Sequence, residues 1–433
     1  MLKHNYTKLP SGLQVIRIPM PGVKSVTVLA LANTGSRYET EREQGIAHFF
    51  EHIVFKGTKK YPTPHILAGA IDTIGANFNA FTSKEYTGYY VKSSSDHFET
   101  SLDVVSDMLL SPKIDQADVD REKGVIIEEI NMYEDTPMSQ IGNIFENLVF
   151  TGSGLGHEIL GTKETVSNIT SEDFRAFLKK WYGLSNLVLI VAGDADLVDS
   201  SKTLKKIEEA FNKDAGERNE KIVDTKEIAS KEIKISNDKL RVVNKKTEQA
   251  HLSLGWLAIN REDERRYALG LLSTVLGASM SSRLFSEIRE KRGLCYYVRS
   301  DTDFYHNTGI FGASAGVDPS RVEEAISAIL SEFYSVVDGS RPITKEELKK
   351  AKSYISGRMV LGLEDSRSVA QFFGMKQLLS GEMISPEETL EKFEKTTLEE
   401  VNQIAKEIIK KGECRLALIG PFEDKEKFAE LIK

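Results

Sequence analysis

Two histidines four residues apart, His48 and His52, bracket a glutamate, Glu51, within the run GIAHFFEHIVF. On a helix, residues at i and i+4 lie about 40° apart around the axis, so both imidazoles face one way. Two neutral nitrogens on one face make half of a tetrahedral zinc site. Glu51, one residue before the second imidazole, is close enough to reach a water held there. Zinc draws the pKa of such a water towards neutrality, and a carboxylate can take its proton during attack on a carbonyl. A third ligand is needed. The helical pattern over Gln116–Glu134 brings Glu122 and Glu129, seven residues apart, to nearly the same face, whereas Glu128 is turned about 100° from Glu129. Either carboxylate could bind metal while the other hydrogen-bonds a ligand from behind. The same residues also suit an ordinary helix with two histidines and a solvated acidic stripe.

These residues need elements to carry them. Strand-like runs cover Leu13–Ile18 and Val26–Ala32, split by the turn Pro19-Met20-Pro21-Gly22. Helical patterns follow at Gly45–Phe55 and His65–Ile74, then strand signals at Asn77–Thr82 and Thr87–Lys92. Further helical patterns cover Phe98–Leu110, Gln116–Glu134 and Ser171–Trp181, and Leu187–Ala192 reads as a buried strand. This order predicts an α+β architecture, with helices packed on one face of a mainly antiparallel sheet.

Much of the pattern is written twice. TGYYVKSSSDHFETSLDVVSDML, from Thr87, lies over TGIFGASAGVDPSRVEEAISAIL, from Thr308, without gaps. DQADVDREKGVIIEEINMYED, from Asp115, parallels TKEELKKAKSYISGRMVLGLED, from Thr344, whose Thr344 and Glu347 form a capping box. We therefore expect two duplicated domains of one fold, over 1–211 and 235–433, joined by a charged linker over 212–234. An offset of 229 or 230 sets Arg358 or Met359 opposite Glu129, and Ala351 or Lys352 opposite Glu122. The second copy has no H-x-x-E-H, so one zinc ion (Zn2+) per chain is expected.

Bulk composition narrows the rest. A chain of 433 residues, 40% hydrophobic and 28% charged, has ordinary globular composition and the length of two cores. Its net charge of -8 and lack of a basic stripe argue against nucleic acid as a partner. The first residues show no secretory signal, and the longest apolar runs are strand-length, too short to span a bilayer. Cys295 and Cys414 are too few and too distant for a disulfide framework, which makes the cytoplasm the expected compartment.

The motif and its surroundings resemble the pitrilysin and mitochondrial-processing-peptidase family, whose inverzincin signature is H-x-x-E-H. The resemblance runs from Ser11-Gly12-Leu13 through Gly35-Ser36-Arg37, Asn79-Ala80-Phe81-Thr82, Gly156-His157 and Gly161-Thr162 to Ala192-Gly193-Asp194. Members take their glutamate ligand from a stretch like Glu122–Ile130, and here 129 − 52 = 77 residues separate it from the second histidine. The resemblance thus implies His48, His52 and Glu129 as metal ligands, Glu51 as general base and Glu122 as companion to a ligand. It implies a zinc-dependent endopeptidase acting on unfolded peptides or presequence-like segments in a closed chamber. Asn79, Ala80, Phe81 and Thr82 correspond to an edge strand to which substrate adds as an extra strand. Arg289 and Tyr296, seven residues apart in LFSEIREKRGLCYYV, match an arginine and a tyrosine that contact bound peptide near the zinc. An arginine can fix a peptide carbonyl, and a phenol can donate to an oxyanion. Single-chain relatives are about twice this length, so the resemblance implies a homodimer, with a heterodimer containing a related chain as the alternative. A non-catalytic subunit of such a heterodimer is the competing function.

Overall fold

The computed structural model describes residues 3–212 and 223–433. The first half of the sequence contributes β1 (Asn5–Lys8), β2 (Gln14–Met20), β3 (Ser25–Ala32), helix α1 (Ile46–Ile53), β4 (Asn77–Thr82) and β5 (Thr87–Ser94). It continues with α2 (Phe98–Leu110), α3 (Gln116–Glu134), α4 (Pro137–Phe150) and β6 (Leu187–Asp194). The second half repeats the series: β7 (Leu240–Asn244), β8 (Ala250–Ala258), α5 (Arg266–Gly277), β9 (Cys295–Phe304) and β10 (Gly309–Val317). Then come α6 (Val322–Val337), α7 (Lys345–Gly362), α8 (Ser366–Ser380) and β11 (Arg415–Gly420).

The sheets carry the duplication in their strand order, β1-β2-β6-β3-β5-β4 in one and β7-β11-β8-β10-β9 in the other. Removing β1 makes the two orders equivalent strand for strand. In each, one pair is parallel (β2 with β6, β7 with β11) and the rest are antiparallel. The expected α+β duplication is what the chain adopts. The capping box at Thr344 is also formed: the Glu347 N–H donates to Thr344 Oγ1 at 3.1 Å, and the Thr344 N–H donates to Glu347 Oε2 at 2.9 Å.

Contacts divide the chain into two compact units that do not follow the halves of the sequence. The first comprises Met1–Asn131, His157–Ile228 and Met359–Glu387, and the second Met132–Gly156, Ala229–Arg358 and Glu388–Lys433. Side chains alternate across a strand with period two, so each sheet has two faces to cover. In the first unit, Ser93 of β5 bonds Ser101 of α2 on one face. The other face presents Leu29, Leu31, Val188 and Ile190 to Val369, Ala370 and Phe373 of α8, a helix from the far end of the chain. In the second unit, Ile310, Ala417 and Ile419 receive Ile141, Phe145 and Val149 of α4. Helices therefore cover both faces of each sheet, not one, and α4 and α8, which occupy equivalent places in the repeat, are exchanged between the halves. Within the expected linker, residues 213–222 lie outside the described residues, and Thr225–Glu232 forms a helix. Among the described residues no helix is long and apolar enough to cross a membrane.

Candidate metal centre

Helix α1 is placed by its backbone at one end and by its aromatic face along its length. Gly45 precedes it with φ at +92°, and a Cβ there would come within 2.5 Å of Leu160 O, so only glycine fits. No side chain at position 45 caps the helix. Instead, both oxygens of the buried Glu39 accept its first N–H groups, from Gly45 and Ala47, each at 2.8 Å. Phe49 and Phe50 are fully buried, packing edge-on against Phe174 and Tyr182. Burial of such a ring is worth about 1.5–3 kcal/mol. The opposite side of α1 presents His48, Glu51 and His52.

Helix α3 brings its acids to that side. It buries Val119, Ile126 and Ile130, and the same rotation leaves Glu122 buried, Glu129 half-buried and Glu128 exposed. Glu129 Oε2 lies 3.4 Å from His52 Nε2 and 3.6 Å from His48 Nε2. His48, His52 and Glu129 each offer one donor atom within 4.8 Å of the others. With metal–ligand arms of 2.0–2.1 Å, the edge of a tetrahedron is about 3.4 Å, so this donor set and spacing fit a tetrahedral divalent cation. Glu122 stands behind it: its Oε1 meets His52 Nδ1 at 3.0 Å, and its Oε2 meets Lys56 Nζ at 2.6 Å. With Glu122 ionised, Nδ1 is the donor in that bond, and loss of the proton on Nε2 would free a lone pair on Glu129's side for a cation. His48 Nδ1 is buried with no hydrogen-bond partner among the described residues. Packing, and not a hydrogen bond at Nδ1, therefore sets the angle of the His48 ring.

The electrostatics separate the groups. Burial, aided by the neighbouring His52, lowers the His48 pKa to about 4. Burial also disfavours charge on His52, but hydrogen bonds with Glu122 and Glu129 outweigh it and raise the pKa to about 9. Burial pushes Glu122 up, and His52 and Lys56 together overcome it and hold the carboxyl low. The hydrogen bond with His52 holds Glu129 low as well. Glu51 goes the other way. Burial raises its pKa, although Thr82 Oγ1 donates to its Oε2 at 2.6 Å. An acid shifted upward beside a cluster of metal-binding donors is suited to taking and returning a proton.

The remaining candidates fall in two places. Asn79–Thr82 belongs to β4, which among the described residues pairs only with β5 and forms one edge of its sheet. Asn79 Oδ1 accepts the N–H of Ala80 at 2.9 Å, and Thr82 Oγ1 turns to Glu51. Arg289 and Tyr296 belong to the second unit, where the guanidinium lies 5.6 Å from the Tyr296 ring centre and 4.7 Å from that of Phe285. Tyr296 is 70% exposed. One residue, Lys56, and one role, that of Thr82, escaped the sequence reading. Lys56 follows His52 by four positions and was legible only as a helix-end cation. The role of Thr82 towards Glu51 depends on β4 running beside α1 and has no local signal.

Residues 15–163 match the family described as Insulinase (Peptidase family M16), and residues 168–355 match the Peptidase M16 inactive domain. An uncharacterized zinc protease of Streptomyces coelicolor is 37% identical over 420 residues, spanning 97% of this chain and 90% of that one. One of Bacillus subtilis is 33% identical over 413 residues, spanning 95% and 97%. Among solved structures, a protease from Helicobacter pylori superposes with a TM-score of 0.86 at 24% identity, covering 97% of this chain and 100% of that one. A peptidase M16 inactive domain from Pseudomonas fluorescens superposes with a TM-score of 0.85 at 19% identity, covering 97% and 98%. These two share the fold. Identity of 37% sustained along 97% of the chain, with two matches that together span most of it, makes this protein a member of the insulinase family of peptidases, family M16.

Proposed function

We propose that this chain is a zinc-dependent endopeptidase acting on unfolded peptides or presequence-like segments. The observation that carries the reading is the convergence of His48, His52 and Glu129, with the upshifted Glu51 beside them on the same helix face. Those three side chains would hold the ion. When bound, it supplies a Lewis acid that polarises a carbonyl and makes water acidic at neutral pH.

Glu51 removes a proton from the attacking water and later returns it to the leaving amine. Thr82 occupies Oε2, so Oε1 is the oxygen that exchanges the proton. Glu122 orients His52. The edge strand β4 offers its outward backbone groups to an extended peptide. Recognition through backbone suits substrates of mixed sequence. Arg289 and Tyr296 are assigned to steadying the peptide carbonyl and the oxyanion that forms from it. The working assembly is a homodimer that encloses the substrate.

The rival reading, a non-catalytic subunit, draws on the inactive-domain match of residues 168–355. The complete donor set and base in the first half weigh against it. Glu51→Gln separates the two readings. It should retain zinc and lose hydrolysis of a quenched peptide by at least a hundredfold, an effect of the size general-base loss produces. Equal turnover in the variant removes Glu51 from its role, and no chelator-sensitive turnover in the native protein favours the rival.

A further inference from the structure

The second unit has a cavity beside the position that the repeat sets opposite Glu122. By the 229-residue offset, Ala351 of α7 stands opposite Glu122 and Lys350 opposite Arg121. A methyl group in place of a carboxylate leaves space. That space is a cavity of about 40 Å3, bordered by Thr274 of α5, by Ser279, Ser281 and Ser282 of the following loop, and by Lys350 and Tyr354 of α7. It has room for about three water molecules, or for one tetrahedral oxyanion.

The charges around it are unequal. Arg283 and Glu347 also border the cavity, but they satisfy each other through two bonds, of 2.7 and 2.8 Å. Arg283 spends further donors on the carbonyls of Arg341 and Pro342, and Glu347 accepts the Thr344 N–H. This pair is neutral and committed. Lys350 then supplies the excess positive charge, with its Nζ donating to Ser281 O at 3.1 Å and further N–H groups to give. Ser282 is 4% exposed, and its buried hydroxyl has no partner among the described residues. Native folds seldom leave such a group unpaired, and an acceptor in the cavity would satisfy it.

We propose that this cavity binds a small oxyanion of phosphate size, held by Lys350 Nζ and the Ser282 hydroxyl with the neighbouring serines. The terminal carboxylate of a peptide shares this chemistry. Calorimetric titration of the full chain, as isolated and after EDTA, with inorganic phosphate, sulfate, acetate and a short peptide tests the proposal and separates the sources. One site per chain should saturate at millimolar concentration or below and be unaffected by EDTA, which separates it from anions drawn to the metal centre. Lys350→Met should weaken binding by about tenfold, the loss expected for one charge-assisted hydrogen bond. Lys350 is exposed, so this variant should keep the native melting temperature. Ser282→Ala should weaken binding to a lesser degree. Tighter binding by the peptide than by phosphate keeps the site and assigns it to peptide termini. No saturable heat with any of these anions, or undiminished binding in Lys350→Met, overturns the proposal.

Discussion

A 2.6 Å hydrogen bond from Thr82 engages one oxygen of Glu51 and leaves the other to exchange a proton. If Thr82 fixes the direction of that carboxylate, Thr82→Val should lower kcat by about 10- to 100-fold, the span expected for losing a hydrogen bond to a charged group. KM and zinc content should stay constant, and Thr82→Ser should restore the rate. A parallel rise in KM would return Thr82 to the substrate-binding role that its strand suggests. At this scale the sequence is legible where spacing alone decides. His48, Glu51 and His52 share a face because helices repeat every 3.6 residues. Spacing could not choose between Glu122 and Glu129, which share one stripe; the family resemblance did. In the structure they divide by nitrogen, with Glu122 on His52 Nδ1 and Glu129 near Nε2. Glu122 meets Lys56, and Thr82 meets Glu51, through tertiary approach, and no pattern in the chain announces that.

Elements were legible in kind and in most of their bounds. The ranges expected for β4, α2 and α3 are the ranges observed. β6 runs two residues beyond its apolar run, to Asp194, whose Oδ1 accepts the Asp196 and Leu197 N–H groups and starts the next helix. The exchange of α4 and α8 was not legible. Periodicity reveals that a helix has an apolar face but not which sheet that face covers, and two similar halves offer two similar sheets. The exchange makes a stability prediction. Phe373 of α8 is fully buried against the first sheet. Phe373→Ala should cost about 3–5 kcal/mol, read as a lower urea midpoint of the unit that bears the metal cluster. A midpoint shift under about 1 kcal/mol would mean that α8 is dispensable to that core.

On the scale of the molecule, duplication gave two similar sheets and one set of chemical residues. The repeat was visible in the sequence because strand, helix and capped helix recur in order, and both sheets reproduce it strand for strand. Divergence of the second copy explains why the cluster is single among the described residues: Arg358 or Met359 and Ala351 or Lys352 stand where Glu129 and Glu122 would. How many chains make a working enzyme follows from neither copy alone. The proposed homodimer should appear by light scattering at micromolar concentration as twice the chain mass. A purely monomeric species that cleaves peptide would show that one chain suffices.

The central claim is that His48, His52 and Glu129 hold one divalent ion. Elemental analysis of zinc per chain, after zinc loading and exhaustive dialysis of native protein and Glu129→Gln, tests it most directly. One zinc per native chain and almost none in the variant is the predicted result. Equal zinc in both, or none in the native protein, would contradict the account.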